Sequence, residues 1–83
     1  MSHIPTEADA AADLYRCVYF SLQKDGFSSS NFIDFFNNAQ KILSNLNSKK
    51  ARLAKQLIIK FKDETKPTIK RQEDLLTASI LLK

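Results

Sequence analysis

The sequence predicts an all-α fold, a small bundle of three to four antiparallel helices, and two observations carry that reading. Apolar residues recur at three- and four-residue steps through most of the chain, the spacing that gathers side chains on one face of a helix. One glycine, two prolines and no alternating β-branched run leave little sequence for a sheet. Eighty-three residues make a single domain, 1–83. At that size one core is marginal and a second subunit often completes it, so a homodimer is expected.

Residues 1–5 read as a frayed terminus. It holds the only histidine, His3, away from the fixed neighbours that a metal ligand or general base needs. Thr6 then serves as N-cap, with Asp9 at the third helical position and acidic charge in the first turn, where the helix dipole favours it. Helix 1 is expected to run to residue 24. Gly26 would take the left-handed conformation beyond it, and Phe27 would close back on Leu22 in a Schellman ending. Its inner face collects Ala10, Ala11, Leu14, Cys17, Val18, Ser21 and Leu22, flanked by Tyr15 and Tyr19. Phe20 falls off that face among Asp13, Arg16 and Lys24, which makes it a candidate interface residue, while Asp13 is placed for a surface pair with Arg16.

A polar connector, residues 28–31, implies that helices 1 and 2 are antiparallel neighbours, with Asn31 and Asp34 at capping-box spacing. Phe32, Phe35, Phe36, Ala39, Ile42, Leu43 and Leu46 then share one stripe. No other stretch offers as much apolar surface, so the remaining helices are expected to pack around this one. Asn45 and Asn47 favour a break before helix 3. The apolar phase nevertheless runs on through Leu53, Leu57 and Phe61, so a single helix over residues 31–64 is the alternative, and its long seam would require a dimer.

In helix 3, Ala51, Leu53, Ala54, Leu57, Ile58 and Phe61 point inward. The opposite side reads Arg52, Lys55, Ile59, Lys62 and Lys66, a basic ridge with an isoleucine in its middle. With a break near Asn47, Lys49, Lys50 and Arg52 occupy the first helical turn against the macrodipole, an arrangement that a bound anion would relieve. Lys66, Lys70 and Arg71 repeat it at the start of helix 4, over residues 69–82. That helix is apolar on most sides near its end, which marks Leu81 as a second candidate interface residue.

Function classes follow from what is present. The net charge of +4 is uneven, −2 over residues 1–46 and +6 over residues 47–83, which favours an anionic partner. One cysteine makes no internal disulfide, and neither an export signal nor an apolar run of about 20 residues occurs, so no transmembrane segment and a cytoplasmic location are expected. No metal-ligand set, nucleophile and base pair or glycine-rich phosphate loop is present, so an enzyme is not expected, and no cofactor is implied. Two readings remain. The first is a helical module that docks on a protein partner as a homodimer. The second is a nucleic-acid-binding regulator in which helices 2 and 3 act like a helix-turn-helix, with Lys49, Lys50, Arg52 and Lys55 near the recognition-helix start and Lys62 or Lys66 on phosphates. A basic bundle held at an acidic membrane surface by helix 4 is a third.

Overall fold

The start and stop signals of four helices decide the architecture. A computed structural model of the chain describes residues 4–83, with α1 at Glu7–Ser21, α2 at Ser30–Ser44, α3 at Lys49–Phe61 and α4 at Thr68–Leu82. There is no strand among these residues, and the fold is a four-helix bundle. His3 lies outside the described residues, as does most of the expected frayed terminus; Ile4 and Pro5 are irregular and exposed.

Thr6 opens α1 as expected: the Asp9 carboxylate accepts from its N–H at 2.7 Å and from its hydroxyl at 3.1 Å. The end of the helix differs from expectation. The α1 helix stops at Ser21, Leu22 stays 67% exposed, and Gly26 with φ 53° opens a single 3-10 turn, Gly26–Ser28. Phe27 does not close back on Leu22 because a larger apolar surface captures it: its ring lies 5.2 Å from that of Phe32 and 5.1 Å from that of Phe61. The cap of α2 is Ser29, whose hydroxyl accepts from the Phe32 N–H at 3.4 Å, so Asn31 and Asp34 lie inside the helix.

The break between α2 and α3 is real. Ser48 caps α3 by accepting from the Ala51 N–H at 3.1 Å, and residues 45–48 form the connector, which removes the single-helix alternative. Between α3 and α4, Thr65 donates to Asp63 Oδ1 through its hydroxyl at 2.6 Å and its N–H at 3.0 Å. These hydrogen bonds, from the hydroxyl first, hold the Asp63 carboxyl below the usual range.

Packing runs α2 on α1, α1 on α4 and α4 on α3, while α2 and α3 barely touch. The neighbours are antiparallel. Cys17 meets Phe32 and Asp13 meets Asn38 across α1 and α2, and Ala11 meets Ser79 and Ser21 meets Gln72 across α1 and α4. The bundle is therefore centred on α1 and α4 rather than on the phenylalanine helix. Leu14, Leu43, Leu75 and Leu82 are the large side chains wholly buried, whereas Phe35 and Phe36 are half-buried. The phenylalanines gather at one end instead. Phe27, Phe32, Phe36 and Phe61 form a ring cluster, and the Arg71 guanidinium caps it 4.6 Å from the centroids of both Phe27 and Phe61 while donating to the Phe61 carbonyl at 2.7 Å.

Asp13 is not a surface residue. It is 6% exposed and accepts from Arg16 at 3.0 Å and from the Asn38 amide at 2.5 Å, joining α1 to α2. Leu53, expected inside, is 39% exposed because Ala51 and Ala54 take the inner side of that turn. Cys17 is wholly buried, and burial, with a smaller contribution from the nearby Asp13 charge, pushes its thiol up to about 12. Alkylation of Cys17 by iodoacetamide should thus proceed only at the rate of unfolding. Stability should be intact below the unfolded thiol pKa of roughly 8.5 and fall as pH rises toward 12. Cys17→Ala removes that alkaline loss, which urea titrations at neutral and alkaline pH will measure.

Candidate functional site

Helix α3 turns Ala51, Ala54, Ile58 and Phe61 inward and leaves the rest of its surface to charge. Between Asp34 and Asp63 the chain holds seven basic side chains and no acidic one. Of the seven predicted contact residues, three are already engaged inside the molecule. Lys50 donates to the Lys83 carbonyl at 3.1 Å, Lys55 to the Leu46 carbonyl at 2.9 Å, and Lys66 pairs with Asp74 at 3.2 Å. The side chains of Lys49, Arg52 and Lys62 are exposed and make no hydrogen bond or ion pair among the described residues. Ile59 is 69% exposed.

The structure brings three of these residues to one place. Because α2 and α3 diverge from close contact, a groove of about 220 Å³ opens between them, lined by Gln40, Leu43, Ser44, Lys55, Ile58, Ile59 and Lys62. Leu43 and Ile58 are buried and form its apolar floor; Ile59 stands at the rim, and Lys55 and Lys62 set positive charge beside it. Lys49, Lys50, Arg52 and Lys66 are not part of the groove. The α2 side of the groove, Gln40 and Ser44, was missed by sequence reasoning, which treated α2 as a core helix and did not ask what its polar flank faced.

The two candidate interface residues lie elsewhere and are largely absorbed by the monomer. Phe20 is half-buried and stacks on Phe35, with centroids 5.7 Å apart and planes 9° apart, while Arg16 sits 5.4 Å above the Phe35 ring. Leu81 is half-buried on α4.

Among the described residues no group of three or more His, Cys, Asp or Glu side chains is placed to hold a metal ion. No helix among them is long and apolar enough to cross a membrane. The chain is a small all-α helical bundle. No protein-family model, no curated protein and no solved structure matches it.

Proposed function

We propose that the chain is a non-enzymatic helical interaction module, a regulator or adaptor that docks on a protein partner and acts as a homodimer. The partner offers an acidic segment with an aliphatic anchor. The observation that supports this reading is the α2–α3 groove, in which an apolar floor from Leu43 and Ile58 adjoins Ile59 and the cations Lys55 and Lys62. An aliphatic side chain fits the floor, and carboxylates beside it meet the lysines, the pattern of an amphipathic helix or strand laid in a groove. The nucleic-acid reading draws on the exposed Lys49, Arg52 and Lys62. It is less favoured because Lys50 and Lys66, two of the cations it draws on, are committed to groups of the chain itself, and an apolar floor does nothing for a phosphate backbone.

The test is a titration of isotope-labelled protein, followed by NMR, with a synthetic acidic amphipathic peptide and in parallel with a short DNA duplex at two salt concentrations. The expected result is saturable peptide binding with shifts centred on Leu43, Ile58 and Ile59, weakened at least about tenfold by Ile59→Asp, which sets a like charge against the peptide at a central contact. Duplex binding that is tighter than peptide binding, falls steeply with salt and survives Ile59→Asp would replace this reading with the nucleic-acid one.

A further inference from the structure

Six of the exposed large apolar side chains sit on only two helices or just past their ends: Tyr15, Tyr19 and Leu22 with α1, and Ile69, Leu76 and Ile80 on α4. Their spacing is regular. Ala8, Ala12, Tyr15, Tyr19 and Leu22 follow steps of four, three, four and three, and all are exposed. Ile69, Glu73, Leu76, Ile80 and Lys83 follow the same steps on α4 and are exposed as well. A four-three repeat is the seam by which helices pack on other helices, and the inner faces of α1 and α4 already use a separate set of residues for the bundle core. The two stripes flank one seam. Ser79 and Gln72 hold α4 antiparallel to α1, and Lys83 Nζ lies 6.0 Å from the centroid of the Tyr15 ring.

We propose that this α1–α4 face is the surface on which a second copy of the chain docks, giving a two-fold dimer. The inference rests on the dimeric state proposed above and supplies its surface. Three observations commit it to a second copy. Apolar side chains run along both helices of the face, so a second copy related by a two-fold axis sets the same patch against itself, as an isologous contact requires. The six side chains expose on the order of 600 Å², roughly three-quarters of the ~800 Å² that each partner of a stable complex buries. The stripes contain only two charges, Glu73 and Lys83, of opposite sign. Two copies meeting instead through the segment between Asp34 and Asp63, with its seven basic side chains, would repel. A depression of about 550 Å³ lined by Ala8, Ala11, Ala12, Tyr15, Arg16 and Lys83 is wide enough to receive an aromatic side chain from the other copy, over which Arg16 and Lys83 place positive charge.

Sedimentation equilibrium across low-micromolar to sub-millimolar protein tests the proposal. The expected result is a mass that rises from 9.5 kDa to twice that value. Tyr15→Lys and Ile80→Lys should each raise the dissociation constant at least about tenfold, since every substitution acts twice in a two-fold dimer. Leu22→Lys lies past the end of α1 and provides the same reading should the helix variants fail to fold; circular dichroism monitors all three. Ile59→Asp, in the groove, should leave the dimer intact. A wild-type chain that stays monomeric throughout, or a dimer unchanged in all the folded stripe variants, overturns the proposal. Monomeric variants that still bind the acidic peptide separate the loss of this surface from the loss of groove docking.

Discussion

Phe61→Ala should lower the free energy of unfolding by about 3 to 5 kcal/mol, read as a fall in the urea midpoint with little change in slope. Phe61 is 4% exposed and is the side chain through which the end of α3 packs on the rings of α2 and the 3-10 turn. Its ring lies within 5.1 to 5.9 Å of those of Phe27, Phe32 and Phe36. Removing it leaves a cavity among three rings held on α2 and on the 3-10 turn, which cannot all collapse into it, and this places the cost at the upper part of the usual range. It also strips Arg71 of one of the two faces between which its guanidinium lies. Against the ~4 to 12 kcal/mol of total stability expected for a chain of this length, such a loss decides whether the protein is folded at physiological temperature.

The second large effect is expected at Ser79. This residue is wholly buried, and its hydroxyl donates to the Ala11 carbonyl at 3.0 Å. Ala10, Ala11, Ala78 and Ser79 are all nearly inaccessible, so α1 and α4 approach through small side chains. Ser79→Leu puts two more heavy atoms into that gap and should cost about 3 kcal/mol through forced displacement of the helices. Ser79→Ala keeps the space and loses only the hydrogen bond, at a cost of about 1 kcal/mol, because the Ala11 carbonyl retains its helical partner. Thermal unfolding of the two variants side by side separates the hydrogen bond from the close approach. Equal effects would show that space is not the constraint.

Much of the fold was legible in the sequence because it depends on local signals. Thr6 with Asp9, the Asn-containing break after residue 44 and Pro67 before α4 each act within a few residues, and each falls where the structure has a helix boundary. The errors concern choices between distant partners. The spacing of Leu22 and Phe27 fits a Schellman ending, but Phe27 has more apolar surface to gain against Phe32 and Phe61 than against Leu22. Asp13 has the right offset for Arg16, and nothing local announces that Asn38, twenty-five residues away, arrives to close it off from water. Periodicity marked the phenylalanine helix as the largest apolar resource, yet size is not centrality. Short side chains allow α1 and α4 to approach, and that decides which helices lie in the middle. The candidate site followed the same rule. The ridge Arg52, Lys55, Ile59 and Lys62 was visible from one helix, whereas the groove needs Leu43 and Gln40 from another.

The barely touching α2 and α3 make the chain two helical hairpins joined by residues 45–48. This arrangement has a consequence in the entropy of closing the chain. The link from Asp13 to Asn38 spans 25 residues within the first hairpin, and the link from Ala11 to Ser79 spans 68 residues across both. Loop-closure entropy grows only with the logarithm of length, so the longer closure costs about 0.9 kcal/mol more than the shorter. Doubling the joining segment would add about 0.6 kcal/mol by the same relation. The division into hairpins thus lets the connector vary in length at little thermodynamic cost.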